Sequence, residues 1–144
     1  MKLGIGSDHG GFSLKQSIIE HFENSEIEFV DYGTDSTDSC DYPLFAKDVC
    51  RAYLEGKIDY GILICTTGIG MSMTANKFKG VRAALVTNSD ACSLTRRHNN
   101  ANFLCIGAKY TSLDEAINYI NIFVSTSFEG GRHERRVNMI ENND

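Results

Sequence analysis

No apolar run in this 144-residue chain is long enough to cross a bilayer. The sequence passes from Met1-Lys2 directly into the strand-like Leu3-Gly-Ile-Gly6, which leaves no room for a signal peptide. Positive charge is scarce: 14 Lys and Arg against 19 Asp and Glu give a formal charge of −5. That balance argues against nucleic acid and membrane surfaces as partners, since both attract basic proteins. Paired cysteines are missing too. Cys40, Cys50, Cys65, Cys92 and Cys105 are odd in number and irregular in spacing, unlike a disulfide framework. No Cys-x-x-Cys or clustered Cys/His pair suggests zinc, so no metal is expected. A reduced, cytoplasmic protein is the simplest reading. Repeats, low-complexity tracts and linkers are also absent, so residues 1–144 read as one domain. A chain of this size buries about two-thirds of its unfolded surface, enough for a proper core.

What the chain does contain is an alternation of strand and helix patterns. Strands are expected at Lys2–Gly6, Glu28–Asp31, Tyr60–Cys65, Ala83–Thr87 and Phe103–Gly107. Helical spacing covers Gly11–Phe22, Pro43–Leu54, Gly70–Phe78, Asp90–His98 and Thr111–Phe123, and the tail Arg132–Ile140 reads as a further helix. Pro43, the single proline, suits a first helical turn, and Ser112 with Glu115 three residues later forms a capping-box pattern. Short strands separated by helices imply a parallel sheet covered on both faces. The expected fold is therefore α/β, a three-layer α-β-α sandwich with a five-stranded parallel sheet and a C-terminal helical tail. The flavodoxin/Rossmann-like strand order 2-1-3-4-5 puts the reversal point between the first and third strands, where such sheets bind ligands. The loops meeting there are Ser7-Asp8-His9-Gly10-Gly11 and Cys65-Thr66-Thr67-Gly68, the two most polar strand ends.

The third strand ends in Cys65-Thr-Thr-Gly-Ile-Gly70 and turns straight into a helix. Its unpaired N–H groups make that turn an anion site, and their partial charge is expected to lower the pKa of Cys65. A reactive thiol beside donors that hold negative charge suits proton abstraction next to a carbonyl. A buried Cys ending an ordinary strand is the alternative. Asp8 can accept a sugar hydroxyl or simply cap a helix, and His9 can bind an anion or move a proton. His98 can reach a pocket or sit at a helix C-terminus. Arg132 and Arg136, four apart on one helix face, can clamp a phosphate or form part of a solvated surface. The polar loop Thr34–Asp41 is either a wall of the site or a surface connection.

Together these segments resemble the type B ribose-5-phosphate isomerases, in the family that also holds the galactose-6-phosphate isomerase subunits. The motifs are Gly6-Ser-Asp-His-Gly-Gly-Phe12, Asp31-Tyr-Gly-Thr34, Asp41-Tyr-Pro43, Ile64-Cys-Thr-Thr-Gly-Ile-Gly70, Ala75-Asn-Lys77, Arg97-His-Asn-Asn-Ala-Asn102 and Glu129-Gly-Gly-Arg-His-Glu-Arg-Arg136. The resemblance runs essentially end to end. It implies a cofactor-free aldose–ketose isomerase that interconverts ribose 5-phosphate and ribulose 5-phosphate through an enediolate. It further implies Cys65 as the base between C2 and C1, with Thr67 moving protons among the sugar oxygens. The turn Thr67, Gly68, Ile69, Gly70 and Met71 matches the N–H donors for the enediolate. His98, aided by Asp8, matches the ring-opening group, with Tyr42 and Asn99 lining its site. His9, Arg132 and Arg136 match phosphate ligands, and Lys109 stands where several members place Arg. The family assembles at least as a dimer, so a homodimer or dimer of dimers is expected, with about 125–144 packing on a neighbouring subunit.

The chain departs from the family pattern at Thr66, where Gly is usual, and at Gly10, where a small apolar residue is frequent. A β-branched Thr66 restricts the turn and narrows the pocket. The same chemistry on a six-carbon phosphosugar, allose or galactose 6-phosphate, needs a longer cavity. A non-catalytic phosphate-binding module of the same shape is the rival from another class. It lacks support from any Gly-x-Gly-x-x-Gly fingerprint or P-loop lysine.

Overall fold

The apolar runs of the sequence form the middle of the sheet. In the computed structural model, which describes residues 1–143, the elements are β1 (Lys2–Ser7), α1 (Phe12–His21), β2 (Glu28–Asp31), α2 (Tyr42–Leu54), β3 (Tyr60–Cys65) and α3 (Ile69–Ala75). They continue as β4 (Ala83–Leu85), α4 (Ser89–Asn99), β5 (Phe103–Gly107), α5 (Leu113–Ser125) and α6 (Arg132–Glu141). All sheet pairings are parallel. Successive side chains of a strand point to opposite faces, and two cores result. Leu3, Ile5, Ile62, Ile64, Leu104 and Ile106 pack under Ile18 of α1, Cys92 of α4 and Ile120 and Phe123 of α5. Leu63, Cys65, Phe103 and Cys105 face Val49 and Cys50 of α2 and Met71 and Ala75 of α3.

One feature of the expected topology is corrected. The strand order is β2-β1-β3-β5-β4, not 2-1-3-4-5. The reason lies in the strands themselves. β5 is buried along its whole length, as a central strand must be, whereas β4 has only three residues and leaves Leu85 exposed. Stepping back from β4 to β5 by a right-handed crossover carries α4 to the α1/α5 face. There the Cys92 thiol donates to the Tyr119 carbonyl at 3.2 Å. The reversal between β1 and β3 is retained. Ser7 lies opposite Ile64, and the Asp8 N–H donates to the Ile64 carbonyl at 3.3 Å.

Element ends follow local chemistry. Ser112 and Glu115 form the expected reciprocal capping box at the start of α5. Asn88 caps α4 by accepting from the Ala91 N–H at 2.8 Å. Pro43 lies in the first turn of α2, and Asn100, at φ 46°, ends α4 in the left-handed region. The strand expected at Ala83–Thr87 is shorter, and the helix expected at Gly70–Phe78 begins at Ile69 and stops at Ala75.

Lys15 of α1 was not expected inside. It is fully buried, and its ammonium meets the two carboxylate oxygens of Asp31 at 2.7 and 2.8 Å, tying α1 to the end of β2. Asp31 itself is two-fifths exposed, so water reaches one side of the pair. Removing the carboxylate strands a buried charge, which costs more than removing the lysine. Asp31→Ala should therefore lower unfolding free energy by about 3 kcal/mol, at the low end for a broken buried pair because of that exposure. Lys15→Met should cost roughly half as much, since it leaves only a carboxylate that water can solvate. Urea denaturation with a common m value decides the matter, and the reverse order of the two variants would contradict the account.

Candidate active site

β3 stops at Cys65 because the chain must turn there to clear the end of β5. Gly68 makes the turn at φ +78°, and a Cβ on it would lie 2.7 Å from Leu85 Cδ1 and 2.9 Å from the Ile106 carbonyl carbon. The tight turn directs its backbone inward. The Gly68 N–H donates to Cys65 Sγ at 3.1 Å, and the Ile69 N–H to Thr67 Oγ1 at 3.3 Å. The Ser72 N–H closes the first helical bond on the Gly68 carbonyl at 3.1 Å. The N–H groups of Gly70 and Met71 have no acceptor among the described residues. Of the five expected donors from Thr67 to Met71, those of Gly68 and Ile69 are used inside the turn, that of Thr67 also has no acceptor among the described residues, and Gly70 and Met71 are the free donors at the helix start. Three further cysteines are buried in the core. Burial pushes the Cys50 thiol up to about 12 and that of Cys92 up to about 11, and it raises Cys105 as well. Those three are protonated core thiols.

A cleft of about 390 Å³ opens beside this turn, lined by Asp8, Tyr42, Cys65, Thr66, Thr67, Ile69, Gly70 and Met73. Asp8 is nearly buried and accepts from the Gly11 N–H through Oδ1 at 3.1 Å. Its Oδ2 has no partner among the described residues, and Asp8 closes the turn ahead of α1 without capping it, because Gly11 is the N-cap and has no side-chain bond. Tyr42, at the start of α2, lays its ring against Gly70, where a Cβ would come within 2.5 Å of Cζ. His9 is exposed, and its Nδ1 accepts from the Cys40 N–H at 3.3 Å. That bond requires an unprotonated Nδ1 in the neutral ring, so Nε2 carries the proton and is left as a donor. It also ties the Thr34–Asp41 loop to the end of β1, although no residue of that loop lines the cleft.

The other expected site residues do not line this cleft. α4 runs back from the carboxyl ends of the strands, so His98 emerges near the start of β5, whereas Cys65 lies opposite Gly107 at its end. The length of β5 alone separates these levels by roughly 13 Å at about 3.3 Å per residue. His98 instead stacks on His133 of α6, with ring centroids 4.1 Å apart and planes within 10°. Asn99 borders a second, larger cleft of about 590 Å³ between the α3–β4 connection, α4 and the end of α6. No other catalytic candidate lines it, so size does not mark the chemistry here. Arg132 and Arg136 point outward from α6. Lys109 donates its N–H to the Thr66 carbonyl at 3.0 Å, but its side chain is exposed beside Tyr110. The tail lies on its own chain through buried His133 and Val137, and Glu141 accepts from Arg82 and from the Gly80 N–H. Asp144, the last residue of the expected docking segment, lies outside the described residues.

Two residues near His98 went without a role in the sequence reading. Glu129 pairs with Arg97 at 2.6 Å, which keeps its carboxyl below the usual range, and faces both imidazoles. Burial, with the charges of His98 and Arg132 nearby, holds His133 below the ordinary histidine value. The four-residue spacing of Glu129 and His133 was the available signal.

The two departures from the family pattern face each other. A Cβ on Gly10 would collide with Thr66 Oγ1 and stand 3.3 Å from Asp8 Oδ1. Bulk is therefore absent from one loop where it has been added to the other.

A sequence model of the family described as Ribose/Galactose Isomerase matches residues 3–140. Ribose-5-phosphate isomerase B of Escherichia coli is 40% identical over 139 residues, covering 96% of this chain and 93% of that protein. The crystal structure of a ribose 5-phosphate isomerase from Thermotoga maritima superposes with a TM-score of 0.95 at 44% identity, covering 97% of each chain. The structure of ribose-5-phosphate isomerase B from Mycoplasma genitalium with bound ribulose-5-phosphate gives a TM-score of 0.91 at 42% identity. It covers 97% of this chain and 93% of that one.

The Gly10–Thr66 contact is open to a double-mutant cycle. Gly10→Ala should cost about 1 kcal/mol, the low end for overpacking because an exposed threonine can rotate away. Thr66→Gly should recover most of that loss in the double variant. Strict additivity of the two changes, measured by denaturation and by turnover, would show that the loops do not constrain each other.

Proposed function

Because this chain belongs to the ribose/galactose isomerase family, we propose that it interconverts D-ribose 5-phosphate and D-ribulose 5-phosphate by proton transfer through an enediolate. The observation that carries the reading is the β3 turn. It sets Cys65 Sγ, the free Gly70 N–H and the Asp8 carboxylate around one cleft at the reversal point of the sheet, with the free Met71 N–H next along the same helix start. In the open-chain aldose, Cys65 takes the C2 proton while the growing charge on the sugar oxygens falls to the Gly70 and Met71 N–H groups. Preorganised donors of this kind contribute about 3–4 kcal/mol each in acyl-transfer sites. The Thr67 hydroxyl passes a proton between the two oxygens, and Cys65 returns its proton to C1. Ring opening comes first: His98 gives a proton to the ring oxygen while Asp8 accepts one from the anomeric hydroxyl. Every step is a proton transfer, so the reaction as written calls on no cofactor.

This scheme needs a second copy of the chain. His98 cannot serve the Cys65 cleft of its own chain, and it is joined to α6 by the His133 stack. A neighbouring copy that brings α6 to the cleft therefore brings His98, Asn99 and the Arg132/Arg136 pair with it. The phosphate is then held by His9 Nε2 from one chain and the two guanidinium groups from the other. Exposed Leu44, Ile69 and Met73 lie at or next to the cleft and give the neighbour an apolar seat. A homodimer, alone or doubled, is the smallest assembly that completes the site. Residence in the cytoplasm accords with a phosphosugar substrate and five free thiols. Thr66 narrows the cleft, which favours the five-carbon substrate over allose or galactose 6-phosphate.

Cys65→Ala should reduce turnover of ribose 5-phosphate by on the order of 10²–10⁴-fold or more, the range for removing a general base. Calorimetric binding of the sugar phosphate should change little, because the thiol acts on a carbon-bound proton. Retention of more than a few per cent of turnover would reject Cys65 as the base. Arg136→Ala should raise KM about tenfold or more, as expected for a lost charge-assisted bond. Mixing inactive Cys65→Ala with Arg136→Ala under conditions of subunit exchange should bring back a turnover component with the unaltered KM, through hybrids with one intact site. Hybrids verified by mass that show only the raised KM of Arg136→Ala would refute the shared site.

A further inference from the structure

Away from the Cys65 cleft, the junction of α4 and α6 gathers groups that ordinarily bind metals. His98, Glu129 and His133 each offer one ligand atom, and these atoms lie within 4.8 Å of one another. Glu129 Oε1 is 3.6 Å from His133 Nε2 and 3.8 Å from His98 Nε2, too long for hydrogen bonds. Around a tetrahedral zinc ion with bonds of about 2.0–2.2 Å, ligand atoms stand ~3.3 Å apart. The two carboxylate contacts therefore need to shorten by about half an ångström or less, whereas the two imidazole nitrogens, which lie within 4.8 Å of each other, close by up to about 1.5 Å as the stacked rings tilt toward a common point.

A second, independent observation points the same way. His133 is more than nine-tenths buried, and its Nε2, which faces Glu129, has no hydrogen-bond partner among the described residues. Buried ring nitrogens are nearly always satisfied, so one that faces a carboxylate without a hydrogen bond calls for a ligand that the neighbouring side chains do not supply. The surroundings are suited to hold the carboxylate in place. Arg97 Nε grips Glu129 Oε2 at 2.6 Å, which leaves Oε1 turned toward the imidazoles. His98, one-third exposed, provides the entry side.

We infer that His98, Glu129 and His133 form a site for a borderline first-row divalent ion, zinc foremost, and that occupancy inhibits the enzyme by withholding His98 from the sugar ring. Two imidazoles and one carboxylate are a familiar zinc set, with the fourth position left to water or a substrate hydroxyl. The binding rests on the geometry alone. Only the inhibition rests on the proposed role of His98 in ring opening.

Cobalt(II) is the probe, because its spectrum reports the ligand type. Titration of the full chain should saturate at one ion per chain with visible bands of tetrahedral N/O ligation and no thiolate charge-transfer band. Zinc should displace it. Glu129→Gln and His133→Gln should each weaken cobalt binding by about tenfold or more. Glu129 is exposed on two-fifths of its surface, so its variant remains informative even where the buried His133 variant fails to fold. Zinc should inhibit turnover of the cyclic sugar in the unaltered protein, and Glu129→Gln should relieve that inhibition. Failure to take up cobalt overturns the site. So does a thiolate-type spectrum that survives Glu129→Gln and disappears in Cys40→Ser, because the ion then sits on Cys40 and His9. Cobalt bound with the expected spectrum but without inhibition overturns the inhibitory half alone and counts against His98 as the ring-opening group.

Discussion

The close approach of two backbones at the ends of β3 and β5 governs the site. Gly107 has no room for a Cβ, which would lie 2.5 Å from the Thr67 carbonyl oxygen, and Gly68 is closed off in turn by Ile106 and Gly107. With side chains excluded from the contact, the chain leaving Cys65 has to turn at once, through a left-handed residue that only glycine adopts without strain. That turn points one N–H at the sulfur and leaves those of Gly70 and Met71 open. The short helix that follows has two turns, so its contribution lies in these individual donors more than in a large macrodipole. Leu85, exposed at the edge of the sheet, closes the remaining side of Gly68 and makes even the weak fourth strand part of the support.

Strand order then decides which residues a single chain can bring to that turn. Because β5 lies inside β4, α4 crosses on the α1/α5 face, and as a connection between parallel strands it carries His98 to the amino-terminal end of the sheet. Asp8, His9 and Tyr42 come from loops at the carboxyl end and meet Cys65 or its neighbourhood directly. One chain thus presents the residues of the proposed scheme in two groups, one at each end of the sheet. A second copy is the simplest way to join the halves. The apolar side chains exposed beside the cleft and the acidic balance of the whole chain, broken only at the Arg132–Arg136 face, accord with that arrangement.

Much of this was legible in the sequence, for reasons that can be named. The buried runs Tyr60–Cys65 and Phe103–Gly107, the Ser112/Glu115 box and the glycines after Cys65 are local signals, and local signals survive folding. The order of the last two strands was not legible, because adjacency in a parallel sheet is set by burial across the whole layer. Comparing the Ala-Ala-Leu of β4 with the Phe-Leu-Cys-Ile-Gly of β5 was the available clue. Lys15 reads as a solvated helix residue until Asp31 is placed beside it by β2. Glu129 and His133 acquire significance only through His98, some thirty residues earlier, and no periodicity connects them.

The His98–His133 stack has a further consequence for proton transfer. Two parallel imidazoles 4.1 Å apart repel each other when both are charged, so a stacked pair works best with one ring neutral. Burial makes His133 that ring, and Glu129, kept ionised by Arg97, faces the pair with a fixed negative charge. On the proposed scheme His98, the more exposed member, is the ring that meets the sugar, held flat by its neighbour and facing the carboxylate. The same three groups that prepare an imidazole for proton transfer are the donor set a divalent cation prefers. The proposed role of His98 in proton transfer and the proposed metal site thus compete for the same imidazole, and a substrate or a neighbouring chain that covers it favours the first.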